Sequence, residues 1–307
     1  MSGSRRFVAL TGGVGGAKLA LGLAACLPPE SLLMVANTAD DFEHLGLPIS
    51  PDLDTVMYTL AGLADPERGW GLAGESWQCM ESLARLGGPD WFRLGDRDLA
   101  THLRRGMLLR DGLSLAEVTA ALCRSLGLPH ALRPMSSDPV RTLLDTGQGE
   151  LAFQDYFVRE RCAPRVHGIR YEGVSTARPD PEFLGWLDAG AAVVLCPSNP
   201  WLSIEPLLAL PGVRERLASA CSVAVSPIVG GRALKGPAAA IMAQLGLEPS
   251  ALGVARHYRG LLRGLVVDRV DAAQAEEIRA LGMAVRVTDT VMTDTASKTR
   301  LAAEVLE

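Results

Sequence analysis

The sequence predicts one α/β domain over residues 1–307, a Rossmann-like three-layer fold with a mainly parallel sheet and a helical insertion at about 64–130. Three observations predict it. Short apolar runs alternate with helical stretches, which is the rhythm of a parallel sheet. The first run, Phe7–Leu10, feeds four glycines within five positions (Gly12, Gly13, Gly15, Gly16) and then an Ala/Leu-rich helix. Between about Ala64 and His130 the strand pattern disappears altogether. With 307 residues, 48% of them hydrophobic, the chain has the material for one large core.

The helix after the glycines is expected to open at about Ala17 and run towards Cys26. Leu32–Ala36 reads as the second buried strand and leads into the acidic loop Asn37–His44. Ligands of open α/β sheets sit at such carboxyl ends. The next helix runs through Leu63, with Asp52 or Asp54 placed to cap it. In the insertion, Glu75–Leu86, Arg97–Leu109 and Leu115–Leu126 have helical spacing, the last with Ser114 as N-cap and Gly127 as C-cap. Val140–Leu144 reads as a strand, Leu151–Arg161 as a helix and Val166–Tyr171 as a strand. From Ala191 the alternation is regular. Strands fall at Ala192–Cys196, Ser222–Val225, Leu261–Asp268 and Ala284–Val287. Helices fall at Glu205 onward, Val213–Ala220, Pro237–Leu245, Ala272–Leu281 and the C-terminus.

Charge and composition exclude several classes. A net charge of -5 and a pI near 5.6 argue against general nucleic-acid binding. No apolar run approaches the roughly 18 residues of a membrane span. The stretch Met1–Arg6 has no signal-peptide core, and six scattered cysteines without a CxxC read as reduced thiols, so a cytoplasmic protein is expected. Of the 30 basic residues only three are lysine: Lys18, Lys235 and Lys298. The first two sit in glycine-rich segments, where a compact ammonium suits a phosphate oxygen. Lys298 reads as a surface helix residue.

Strand, glycine turn, helix is an arrangement that holds phosphate, because backbone can approach the ligand and N–H groups at a helix start attract an anion. The spacing Thr11-Gly-Gly-Val-Gly-Gly-Ala-Lys18 is neither GxGxxG nor GxxxxGK[ST], so it specifies phosphate and nothing narrower. Two further loops come after apolar strands, Ser198–Ser203 and Ser226–Pro237. Three such loops on one sheet edge suggest a nucleotide diphosphate gripped from several sides. Asp40, Asp41, Asp52 and Asp54 lie within fifteen residues beside them. Carboxylates facing a diphosphate repel it unless a cation lies between, so Mg²⁺ is implied. Helix caps and Asx turns are the competing explanation for any one of them. Trp91-Phe-Arg-Leu-Gly-Asp-Arg97 either lines a pocket for a flat ring or forms a buried helix corner.

These motifs resemble the 2-phospho-L-lactate transferases of deazaflavin coenzyme (coenzyme F-420) biosynthesis. The match rests on Thr11–Lys18, Asn37-Thr-Ala-Asp-Asp41, Ser50-Pro-Asp-Leu-Asp-Thr55, Gly69-Trp-Gly-Leu72, Trp91–Asp96, Cys196-Pro-Ser-Asn-Pro200, Ser226-Pro-Ile-Val-Gly-Gly231 and Lys235-Gly-Pro237. Together they cover essentially the whole chain. The resemblance implies a Mg²⁺-dependent transfer of a phospholactyl, phosphoenolpyruvyl or phosphoglyceryl group from a guanosine-diphosphate-linked donor. The acceptor is the 5-deazariboflavin precursor, GMP leaves, and a homodimer is implied.

By motif match the deazaflavin contacts fall on Asp54 and Arg93, under cover of the helical insertion. The guanine nucleotide falls on Thr11, Gly12, Gly13, Gly15, Gly16, Ser198, Asn199, Ser226, Gly230 and Gly231. Asp40, Asp41 and Asp52 are the expected metal ligands. Lys18 or Lys235 would offset charge on the departing GMP, and Asp54 would orient or deprotonate the attacking hydroxyl. Ala39 stands where the family pattern has glycine, which requires a backbone without positive φ there. Two other readings compete. A non-enzymatic nucleotide-sugar-binding regulator of the same superfamily should lack Trp91–Asp96, which is present. A nicotinamide-dependent oxidoreductase would want GxGxxG, which is absent.

Overall fold

The computed structural model describes residues 5–307. Seven parallel strands form the central sheet, in the order Ala284–Thr288, Gly264–Asp268, Ser222–Val225, Ala192–Leu195, Phe7–Thr11, Leu32–Ala36, Ala131–Pro134. The chain starts at Phe7–Thr11, builds outward through Leu32–Ala36, and later returns to the other flank with Ala192–Leu195. The reversal therefore lies between the first strand and Ala192–Leu195, and a crevice opens at such a switch point.

Every residue of Phe7–Thr11 is buried, as helices on both sheet faces require. Alternation sorts it into two cores. Val8 and Leu10 pack with Leu33, Val35, Val193 and Leu195 on one face. Phe7 and Ala9 pack with Leu32, Met34, Ala192 and Val194 on the other. Truncating Leu10 to Ala in such a site costs about 3 kcal/mol.

The glycine-rich helix begins four residues earlier than its apolar composition suggests, at Gly13, and runs to Cys26. The C-terminal helix Thr295–Leu306 lies against it, so closely that a Cβ on Gly22 would collide with the Lys298 carbonyl oxygen.

Residues 64–130 hold three helices, Gln78–Arg85, Asp96–Arg110 and Leu115–Ser125, and in place of strands a single antiparallel bridge between Ala64 and Leu72. Ser114 caps the third in a full capping box with Glu117. Beyond the three helices one expectation holds only in part. The helix expected over Leu151–Arg161 is confined to residues 153–159, π-helical over Asp155–Arg159, because Leu151 and Ala152 belong to the strand Gly149–Ala152. Gly149, at φ 105°, closes a tight hairpin, so Leu151 pairs with Leu144 of the strand Arg141–Thr146. Val166–Glu172 pairs antiparallel on the other side. These three strands form a separate sheet beside the parallel one. The strand Ala131–Pro134 and the helix Ala251–His257 are elements that periodicity does not reveal. No helix among the described residues is long and apolar enough to cross a membrane.

Candidate functional site

A cavity of about 1110 Å³ opens at the carboxyl ends of the central strands. The three loops anticipated from sequence converge on it. Gly12–Gly15 and Lys18 come from the first, Pro197–Asn199 and Ser203 from the second, and Ser226, Pro227 and Lys235–Pro237 from the third. A fourth loop, Thr290–Thr293, adds to this wall. The first two loops are tied together at the switch point, where the Gly12 N–H donates to Ser198 Oγ at 3.0 Å and that hydroxyl donates to the Gly12 carbonyl at 2.8 Å.

The start of the glycine helix is built to accept a close neighbour. Gly13 has φ 62°, which favours glycine. A Cβ on Gly16 would collide with Ser198 Oγ and Thr11 Oγ1, so Gly16 and the buried Thr11 serve the packing beneath the loop. Neither lines the cavity, nor do Gly230 and Gly231. The Gly230 N–H is committed to Asp271 Oδ2 at 3.0 Å. Asn199 caps the turn after it through Oδ1, while its Nδ2 is buried, unpartnered and on the cavity wall.

Asp52 does not cap its own helix. Residues Pro51–Leu60 begin after Ser50 without a side-chain cap, and Asp52 reaches across to another helix end. Its Oδ1 accepts the Gly13 N–H at 2.6 Å and its Oδ2 accepts Asn37 Nδ2 at 3.0 Å. A carboxylate at a helix N-terminus is electrostatically favoured. The Val14 and Gly15 N–H groups, which have no intrahelical acceptor, remain the open donors of that end.

Asp40 lies close by, with Oδ1 buried and unpartnered. Burial and the neighbouring Asp52 carboxylate push the Asp40 pKa well up, and burial raises Asp52 too. Both line the cavity. Two neighbouring buried carboxylates, one with an idle oxygen, are a hard-cation donor set. Among the described residues no three His, Cys, Asp or Glu side chains converge on one metal position. A cation held by these two carboxylates would have to complete its shell with water and substrate phosphate, as Mg²⁺ does. Asp41 is not brought into the cavity. It lies back against Ser50, whose Oγ donates to Oδ2 at 2.7 Å, and burial lifts its pKa to about 8.

Asp54 also lines the cavity, and it too leaves its own helix uncapped. Both its oxygens are held by the Arg105 guanidinium, Oδ1 by Nη2 and Oδ2 by Nη1 at 3.1 Å. Arg105 is almost wholly buried, and although burial opposes its charge, Asp54 outweighs that and raises its pKa. Arg105 Nη1 is also 3.0 Å from His102 Nδ1. A guanidinium has no lone pair, so that ring nitrogen is the acceptor and the ring proton is on Nε2. His102 Nε2 lies 3.3 Å from Asp98 Oδ2, and Tyr58 donates to Asp98 Oδ1 at 2.6 Å. Burial raises the Asp98 pKa, but His102 and Tyr58 outweigh it and leave it below the ordinary range.

Two of the lysines lie on this wall. Lys18 donates to the Met292 carbonyl at 2.9 Å, and burial, Lys235 and Lys298 lower its pKa. Lys235 reaches back over the Arg68 carbonyl at 3.4 Å. Arg93 lines the cavity with its guanidinium 4.4 Å from the Trp77 ring centre. Trp91 and Phe92 line it as well and cluster with Phe42 and His44. The segment is thus both a pocket wall and an aromatic corner. Ala39 has no positive φ, and its N–H is held by Asn37 Oδ1 at 3.0 Å.

Arg105, His102, Asp98 and Tyr58 are functional candidates that motif matching does not pick out. A signal is there: Asp98, His102 and Arg105 stand at i, i+4 and i+7 of Asp96–Arg110, one polar stripe on one helix face. The cavity wall within 153–161 is hidden for another reason, since its spacing reads as a helix without a chemical role.

An all-parallel sheet with a glycine-helix N-terminus and a buried acidic pair lining a cavity at its switch point defines a Rossmann-like α/β protein. The sequence model of the family described as 2-phospho-L-lactate transferase CofD matches residues 7–306, and the chain belongs to that family of transferases. It is 42% identical over 310 residues to a phosphoenolpyruvate transferase of Streptomyces griseus subsp. griseus, covering 98% of each chain. It is 39% identical over 300 residues to a 2-phospho-L-lactate transferase of Methanosarcina mazei, covering 98% of this chain and 99% of the other. A crystal structure of a UPF0052-family protein from Bacillus halodurans superposes with a TM-score of 0.64 at 14% identity over 99% of each chain, which is likeness of fold.

Proposed function

We propose that this protein transfers a phosphoryl-linked small acid from a guanosine-diphosphate donor to the side-chain hydroxyl of a 5-deazariboflavin, releasing GMP, in coenzyme F-420 biosynthesis. One observation carries the reading: Asp52, at the glycine-helix N-terminus, and Asp40 share a single cavity with Asp54, which Arg105 holds from behind, and with the Trp91–Arg93 wall. A phosphate end and a ring end in one chamber suit a two-substrate transfer.

In this reading the donor diphosphate lies against the open Val14 and Gly15 N–H groups, with Ser198, Asn199 and Ser226 beside it. Asp40 and Asp52 would hold Mg²⁺, which supplies neutralisation of the diphosphate charge when bound. The acceptor ring lies towards Arg93, and its hydroxyl donates a hydrogen bond to Asp54. That hydroxyl oxygen bonds to the phosphorus bearing the acid, the bond from that phosphorus to the GMP oxygen breaks, and the hydroxyl's proton passes to the departing GMP phosphate. Asp54 has both oxygens gripped by Arg105, so it acts mainly as a fixed acceptor that aims the hydroxyl. In-line positioning and charge neutralisation dominate such transfers. Lys18 and Lys235 face the departing GMP.

Mass spectrometry of reactions with the phospholactyl, phosphoenolpyruvyl and phosphoglyceryl donors tests this. A phosphodiester product with equimolar GMP is expected from at least one donor. Donor binding without product from any of them would favour the regulator reading.

A further inference from the structure

We propose that Arg161, on the cavity-wall segment that also carries Gln154, forms the subsite for the carboxylate of the donor's small acid. This deepens the functional reading above and rests on it.

The cavity-lining charges are mostly committed. Asp54 holds Arg105, Arg68 pairs with Asp65, and Lys18 is bonded to Met292. Arg93 faces the Trp77 ring. The Arg161 side chain lines the cavity and, among the described residues, has no hydrogen bond, ion pair or ring contact. Its neighbour Arg159 is committed to Asp155 and the Trp91 ring.

The backbone at Arg161 is strained. Arg161 and Cys162 have φ of 50° and 59°, two successive non-glycine residues in the left-handed region. Such strain persists only where surroundings enforce it, and it concentrates at binding sites. Here the Cys162 N–H donates to the Tyr156 carbonyl at 2.9 Å, and Tyr156 is fully buried in the core under the small sheet. Cys162 is thereby anchored inward while the preceding side chain is turned to the cavity.

The same wall reaches the reaction centre. Gln154 is 7% exposed, lines the cavity, and donates to the Asp40 carbonyl at 3.5 Å. The acid is attached to the phosphorus that is transferred, so its carboxylate lies close to that phosphorus. An anionic carboxylate there needs a cation of its own. A guanidinium offers two parallel donors to a carboxylate, which an ammonium does not. All three candidate acids carry this carboxylate, so the subsite reads the class rather than the member.

The test uses Arg161→Asn, which removes the charge while tolerating a left-handed backbone, and Arg161→Lys, which keeps the charge. GDP affinity is measured by calorimetry. Steady-state kinetics are run with the acid-bearing donors and with the β-ethyl ester of GDP, which lacks the carboxylate. Wild-type protein should prefer the acid donor, by about tenfold or more in kcat/KM, a factor typical of one charge-assisted contact. Arg161→Asn should abolish that preference through a higher KM, with GDP binding within about twofold of wild type, and Arg161→Lys should restore part of it. An unchanged preference in Arg161→Asn, or an equal loss on both donors and on GDP, overturns the proposal. Absence of turnover by wild-type protein with every donor overturns the functional reading and this inference together.

Discussion

The Arg105 guanidinium closes on both oxygens of Asp54 from a helix position 51 residues further along the chain, and neither residue is more than 5% exposed. Removing one partner leaves a buried, unpaired charge. Arg105→Ala is therefore expected to destabilise the fold by about 3–5 kcal/mol, whereas a buried pair replaced as a unit costs far less. Urea denaturation of Arg105→Ala, Asp54→Ala and the double variant measures this. A double variant as unstable as the sum of the two singles would mean the pair is not coupled.

Arg93→Ala should weaken deazaflavin binding more than GDP binding. Arg93 stands on the Trp77 ring and shares the Trp91–Phe92 wall of the cavity, a different segment of the lining from the Gly12–Gly15 turn. Calorimetry with each ligand decides it. A larger loss for GDP would reverse the placement of the two substrates.

Transfer should stop with EDTA and return with Mg²⁺. Asp40 and Asp52 are the expected holders, so Asp40→Asn should raise the Mg²⁺ concentration needed for half-maximal rate by at least about tenfold, as loss of a charged ligand commonly does. Full activity in thoroughly metal-free protein would remove the cation from the reaction.

The acidic cluster makes the metal-free protein sensitive to pH. Burial lifts Asp41 to about 8. A carboxyl with a raised folded pKa binds its proton more tightly folded than unfolded. Its stabilisation is complete below the ordinary carboxylate range and is lost as pH rises through the folded value. His44, whose pKa burial lowers, acts in the opposite sense but only below about 6.5, the ordinary histidine value. Between pH 7 and 8 the metal-free protein should therefore lose roughly 1 kcal/mol, and Asp41→Asn should flatten the decline. Thermal melts across that range check it; a Tm that climbs with pH would contradict the assignment.

Lys18→Ala or Lys235→Ala should cut transfer by about tenfold or more, roughly 1.4 kcal/mol of transition-state stabilisation, and Lys298→Ala should change it little. Lys235 and Lys298 both lower the Lys18 pKa, so the three ammonium groups share one field. Near-wild-type turnover for both Lys18→Ala and Lys235→Ala would take the lysines out of the site.

The parallel strands and the binding edge of the sheet are legible in the residues alone. Fully buried strands such as Leu32–Ala36 are continuous apolar runs, and the loop at the carboxyl end of a parallel strand is necessarily at the ligand edge. That logic places Gly12, Ser198 and Ser226 on one cavity without any distance information. Ser114 and the three helices between Gln78 and Ser125 are legible too, because caps and helical spacing are local signals. The work of each aspartate is not. Asp40, Asp41, Asp52 and Asp54 look alike in sequence. Yet one lines the cavity with an unpartnered oxygen, one is tucked behind Ser50, one caps the glycine helix and one is locked by Arg105. The role of a carboxylate is set by which donor the fold brings to it. For Asp52 and Asp54 those donors lie 39 and 51 residues away, beyond the reach of any local pattern. The hairpin at Gly149 is hidden for a related reason: a strand in a small antiparallel sheet is defined by its partners, and Leu151 shows its register only against Leu144.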